Sequence, residues 1–193
     1  MSRRATRKTG LLAAAAALLL AACANQPTVY YSRVYYDQWK DFLAGGHGTE
    51  FLAVIWGNPF AADKAQTDAV VLDTAHTAFN RAGYRFTTTP KNKVNPLVPY
   101  LAVVFNADHV SSDLPCGDLS ELGPPPAPSR NVTMQAAMCR RGTPLTRAVG
   151  SVANVSGPDD PRFRALAFQI AAQVFQLVPR SGNGVTIADG TFR

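Results

Sequence analysis

The apolar positions of this chain follow two rhythms. Phe51-Leu52-Ala53-Val54-Ile55-Trp56 and Leu101-Ala102-Val103-Val104-Phe105 are short unbroken apolar runs, the signature of strands covered on both faces. Tyr84 to Thr89 alternates and is rich in β-branched residues, which predicts a strand with one wet face. Val132 to Arg140 and Leu145 to Val155 predict two more strands, joined as a hairpin through Arg141-Gly142-Thr143-Pro144. On the second of these, strict alternation would put Leu145, Arg147, Val149, Ser151, Ala153 and Val155 on one face.

The other rhythm is helical. Between Asp63 and Ala82, residues Ala65, Ala69, Leu72, Ala75, Phe79 and Ala82 recur at steps of three and four, and Gly83 supplies a stop. Asn58-Pro59, just upstream, suits a helix start. Asp159-Asp160-Pro161 opens a second helix with carboxylates to cap it and proline in its first turn. Phe163, Leu166, Ala167, Ile170, Ala171, Val174 and Phe175 then form its buried stripe, and Pro179 ends it.

The order is strand, helix, four strands, helix. Two helices cannot cover both faces of such a sheet. The predicted class is therefore α+β: a two-layer sandwich of a mixed, largely antiparallel sheet of about five strands, with both helices on one face. The uncovered face, or an edge of the sheet, is the expected contact surface. Between Asp108 and Asn131 the pattern stops. Gly117, Gly123 and Pro124-Pro125-Pro126-Ala127-Pro128 rule out a helix or a central strand there, and the prolines favour an extended backbone. A connection of this length in a compact domain is usually functional or mobile.

The front of the chain is less regular. Val29 to Tyr36 is dense in β-formers, yet Tyr35, Trp39 and Phe42/Leu43 also fall at helical spacing ahead of Gly45-Gly46. Aromatic side chains here would pack on the core or sit in a headgroup layer. Ahead of them, Arg3, Arg4, Arg7 and Lys8 precede an apolar run from Leu11 to Ala22, and Leu20-Ala21-Ala22 leads into Cys23. That run is twelve residues, against about 20 for a membrane-spanning helix. Cationic start, short apolar core and small residues at the cut make a secretory signal.

Leu20-Ala21-Ala22-Cys23 resembles the lipobox of bacterial lipoproteins. The resemblance covers the first 23 residues and implies a diacylglyceryl group on the Cys23 sulfur, cleavage after Ala22 and acylation of the new terminus. In double-membraned bacteria an aspartate after that cysteine retains a lipoprotein in the inner membrane; Ala24 here implies the outer membrane, periplasmic face. The expected organisation is a cleaved signal peptide over 1–22, a lipidated terminus and tether over 23–28, one globular domain over 29–179 and a tail over 180–193.

This changes the meaning of the charge. The full chain carries +6, from 19 basic and 13 acidic residues. Without the four signal cations, 15 basic residues face the same 13 acidic ones, a net of +2. Nucleic-acid binding therefore loses its electrostatic argument. From Arg130 onward there are eight basic and three acidic residues, which fits a solvated face.

Two cysteines remain beyond Cys23. In an oxidising compartment Cys116 and Cys139 are expected to pair, closing a loop of roughly 24 residues. The competing metal reading lacks a close-spaced Cys/His pair, so no metal site is expected.

The search for catalysis yields little. His47 sits in Gly45-Gly46-His47-Gly48, and His76 lies off the apolar line of the first predicted helix. Asp108 and His109, with Asp113 nearby, follow an apolar strand, the one polar cluster placed where sites often collect. Ser151 follows Gly150 but lacks the nucleophile-elbow pattern. No phosphate-binding loop or dinucleotide fingerprint occurs, and no cofactor is expected. The sequence thus favours a non-catalytic envelope lipoprotein, held to the membrane by Cys23, that binds or assists another envelope protein or component. The alternative is a hydrolase or transferase acting on envelope material through the Asp108/His109 region. No sequence feature specifies an oligomeric state.

Overall fold

A computed structural model of the protein describes residues 26–34, 50–79, 84–91, 98–108 and 114–175. Six strands form one mixed sheet: β1 Thr28–Val34, β2 Glu50–Trp56, β3 Arg85–Thr87, β4 Tyr100–Phe105, β5 Val132–Arg140 and β6 Thr143–Val152. Their spatial order is β1-β6-β5-β4-β2-β3. The two helices are α1, Lys64–Phe79, and α2, Pro161–Val174. β2 runs parallel to β3 and β4, and the other three pairings are antiparallel. The α+β sandwich is as expected, with six strands instead of five. The extra strand is β1, from the stretch whose pattern served two periods. It pairs with β6, Thr28 opposite Ser151 and Val34 opposite Thr146.

Both helices cover one face. Phe51, Ala53 and Ile55 of β2, Leu101, Val103 and Phe105 of β4, and Val132, Met134, Ala136 and Met138 of β5 turn their side chains into the same core as the helices. The predicted stripe of α2 is buried throughout. That of α1 is not as expected: Ala65 and Ala69 are exposed, and the buried line is Thr67, Val70, Val71, Thr74, Ala75 and Phe79. Alanines are neutral markers of a face, whereas Val70-Val71 define one. Buried Thr67 and Thr74 are tolerated because both hydroxyls donate, to Asn58 Oδ1 at 2.9 Å and to Val70 O at 2.8 Å.

The hairpin is tighter than predicted. Only Arg141 and Gly142 turn, with φ of 52° and 75°, the positive pair that matches the twist of the flanking strands. Just beyond it the register slips: Cys139 faces Pro144 and Met138 faces Thr146, leaving Leu145 as an extra residue. Strict alternation therefore fails. Leu145 joins the helix-side core with Ala148 and Val152, while Arg147 and Val149 belong to the opposite face.

Gly150 marks the closest approach. A Cβ there would meet Thr28 O at 2.6 Å and the Leu166 and Ile170 side chains at 3.1 Å each. Gly150→Ala must push β1 outward or α2 upward. Such overpacking costs about 1–3 kcal/mol, with the lower end expected because β1 is an edge strand free to shift. A urea midpoint equal to that of the wild type would contradict this packing.

The second face of the sheet is not open at its centre. Ala102, Val104, Gln135, Ala137, Cys139, Arg147 and Val149 are all buried, against the expectation of an uncovered contact surface. Part of the cover is the segment after Leu114: Cys116 packs with Ala102, Ala137, Cys139 and Tyr100 in a separate small core. Burial pushes the Tyr100 phenol above its ordinary range.

Candidate functional site

β2 and β4 end, β5 begins and β6 ends at the same end of the sheet, so four loops gather there. Four asparagines build this rim. Asn58 Oδ1 accepts from Phe60 N and Thr67 Oγ1, while its Nδ2 donates to Ala62 O at 2.7 Å. Asn106, at φ 48°, accepts the Thr133 amide on its side chain at 2.7 Å and donates its own amide to Thr133 O at 2.9 Å. Asn131 Oδ1 accepts from the amide of Asn154, itself at φ 58°. Asparagine suits both tasks: it tolerates left-handed backbone and its short amide reaches nearby peptide groups. Gly57, at φ 83°, lets the chain pass 3.2 Å, measured from an added Cβ, above Phe105 O.

An arm leads from the second face to this rim. It starts at Cys116, joined to Cys139 on β5 with Cα atoms 5.5 Å apart. Leu114–Cys116 and Leu119–Leu122 are short 3-10 turns. Asp118 caps the latter; hydrogen bonds from the Ser120 hydroxyl and amide hold its carboxyl below the ordinary range. From Gly123 to Asn131 the backbone is irregular, and every residue but Pro126 is exposed. The far end is pinned twice, Ser129 N donating to Pro59 O at 2.8 Å and Val155 N to Arg130 O at 2.9 Å. The proline run is thus an exposed ridge pinned at its rim end, in a segment whose other anchor is the disulfide eight residues before Pro124.

After β6, Asp160 secures the start of α2. Its carboxylate accepts from Arg162 Nε at 3.0 Å and Nη2 at 2.7 Å, from Arg162 N, and from Ser156 N and Oγ. Arg162 also donates to Asn154 O at 2.8 Å, tying the cap to the rim. The Arg162 guanidinium holds the Asp160 carboxyl well below the usual carboxylate range.

Of the sequence candidates, Asp108 is exposed at the rim, just after β4. His109 and Asp113 lie outside the described residues, as do Cys23, His47 and the stretch from Tyr35 to Gly46. Cys116 and Cys139 are brought together. His76 is exposed on α1 and lines a cleft of about 820 Å³ beside edge strand β3, with Glu50, Asp73, Arg85 and Lys91. That cleft mixes both signs of charge, and its Glu50 carboxylate already accepts the Lys91 amide at 3.0 Å. Among the described residues no three histidine, cysteine or carboxylate side chains converge as a metal site. None of their helices is long and apolar enough to cross a membrane.

No protein-family model matches the chain, and no curated protein does. Among solved structures, two crystal forms of the PelC dodecamer from Paraburkholderia phytofirmans are similar to it. One, a point variant, is 14% identical over 77% of this chain and 94% of that chain, with a TM-score of 0.38. The other is 12% identical with the same coverage and a TM-score of 0.37. At these scores the likeness decides neither activity nor assembly.

Proposed function

We propose that this protein is a non-catalytic lipoprotein of the bacterial envelope, lipidated at Cys23 and held on the periplasmic face of the outer membrane, whose domain binds another envelope protein through the proline ridge. The observation that carries the reading is the double anchoring of the segment that holds that ridge. Proline fixes its own φ near −65°, and a segment already rigid loses little entropy on docking. Exposed prolines on a pinned backbone are therefore a ready surface for an aromatic-lined groove on a partner. An ordinary tolerated insertion has no need of a disulfide at one end and two backbone clamps at the other.

The test exchanges Pro124-Pro125-Pro126-Ala127-Pro128 for Gly-Ser-Gly-Ser-Gly in the lipidated protein. Cross-linking in intact envelopes, followed by mass spectrometry, reads the partner. The dominant adduct of the wild type should fall by an order of magnitude or so, because the entropy saved by five fixed residues is lost. The thermal midpoint should fall by several degrees, since four prolines no longer restrict the unfolded chain, while the core stays intact because the exchanged side chains are almost all exposed. Undiminished cross-linking would remove the ridge from the binding surface.

A further inference from the structure

One edge of the sheet carries a cleft of its own. β3 is the last strand in the order, parallel to β2 and with no further strand beside it among the described residues. It has three residues and ends where the Thr87 hydroxyl accepts the Thr89 amide at 3.2 Å. The chain then turns back, and the Lys91 amide donates to Glu50 at the start of β2.

The cleft of about 820 Å³ lies against this edge, and its lining comes from both faces of the sheet. Tyr84 and Phe86 belong to the helix-side core, and Leu72 of α1 packs against that core. Glu50 lies opposite Arg85 and Phe51 opposite Phe86. Successive side chains alternate, so Glu50, Arg85 and Thr87 take the second face. A cavity lined from both faces wraps the edge between them, which leaves the outer backbone of β3 along its middle. Its volume is in the range of ligand sites.

The two sides differ in chemistry. The helix side is apolar, with Leu72, Tyr84 and Phe86, and Asp73 at its mouth lies 3.9 Å from Arg164. The other side offers Arg85 and Lys91, both exposed, against Glu50, whose carboxylate is already engaged by the Lys91 amide. A chain laid along β3 would send alternate side chains to these two sides. In such strand addition the main chain supplies affinity and the alternating pockets supply selectivity. A second copy of β3 would set Arg85 and Lys91 against their own counterparts, so the complement is an acidic chain.

We propose that this cleft takes an extended acidic segment of a partner protein as an added strand on β3, its apolar side chains toward Leu72 and Phe86 and its carboxylates toward Arg85 and Lys91. The site is separate from the proline ridge, since Glu50 opens β2 and the rim lies at that strand's other end. It therefore stands or falls independently of the ridge.

The test titrates the full-length protein, disulfide intact and in neutral detergent micelles, with acetyl-Val-Glu-Val-Glu-Val-amide and with its lysine counterpart, acetyl-Val-Lys-Val-Lys-Val-amide. Calorimetry should show the glutamate peptide binding several-fold tighter, and hydrogen exchange of the amides at 85–87 should slow when it is bound. Arg85→Glu with Lys91→Glu, at two exposed positions, should reverse the preference at an unchanged thermal midpoint. The glutamate peptide N-methylated at every residue keeps its charge but cannot donate to a strand, and it should not bind. Absent binding of the glutamate peptide, or a preference for lysine in the wild type, overturns the proposal. So does equal binding of the N-methylated peptide, which would reduce the cleft to a charged surface, and so does unchanged exchange at 85–87.

Discussion

Exchanging Cys116 and Cys139 together for serine should lower the stability of the domain by about 3–4 kcal/mol. The bond joins residues 23 apart in sequence, and releasing a loop of that size restores chain entropy chiefly to the unfolded state. The folded state suffers as well. Cys116 and Cys139 fill the small core that closes the second face over Ala102 and Ala137, so the arm would lift and wet a surface that is now dry. For a domain of this size the thermal midpoint should drop by about 10 °C. Serine in both places avoids a lone thiol, and reductant should reproduce the loss in the wild type. If the proposed envelope partner docks on the ridge, the same variant should also give a weaker cross-link to it, because the segment carrying the ridge loses its covalent anchor. A denaturation midpoint indifferent to both substitution and reductant would show that the arm is held by the rim alone.

Asp160→Ala should cost a comparable amount, about 2–4 kcal/mol. Loss of an N-cap removes roughly 0.5–2 kcal/mol, and hydrogen bonds to a charged group are worth roughly 1.5–3 kcal/mol each before relaxation. Here one carboxylate serves both the first turn of α2 and the loop at Ser156. Its side chain is 4% exposed against 31% for Arg162, so the stranded arginine recovers some hydration while the vacated cap does not. Asp160 also gives a pH signature. Its folded pKa lies well below the ordinary value, so its contribution is complete above the unfolded pKa of about 3.9 and fades as pH falls through the folded value. Between pH 5 and 2, Asp160→Asn should flatten the decline in urea midpoint, relative to the wild type. Parallel declines in the two proteins would mean the carboxylate is not the group that titrates.

What the sequence made legible follows from which signals are local. The cap and stripe of α2 were plain because Asp160-Pro161 and seven apolar residues agree. β2 and β4 were plain because covered strands are continuously apolar. The line on α1 was misplaced because alanines outnumber valines there, and only packing distinguishes a face of methyl groups from a face of isopropyl groups. The bulge at Leu145 was invisible, since an inserted residue is detectable only against its partner strand. The burial of the second face could not be read either, because nothing in Ala102, Val104 or Gln135 says that another segment lies over them. As for the rim, Asn58, Asn106, Asn131 and Asn154 each follow a strand or precede one, a recurrence that could have been noticed. Their amides act on residues up to 27 positions away, however, and sequence spacing carries no record of that.

The pairing of β1 with β6 has a consequence for how the chain reaches this structure. Thr28 finds its partner at Ser151, so the first strand to leave the ribosome, and to cross a membrane if the leader is used, is among the last to acquire a neighbour. β4, β5 and β6 pair through nearby connections and can condense while β1 waits, because closing the larger loop yields nothing until its far end exists. β1 therefore docks late, as the closing edge of an almost finished sheet.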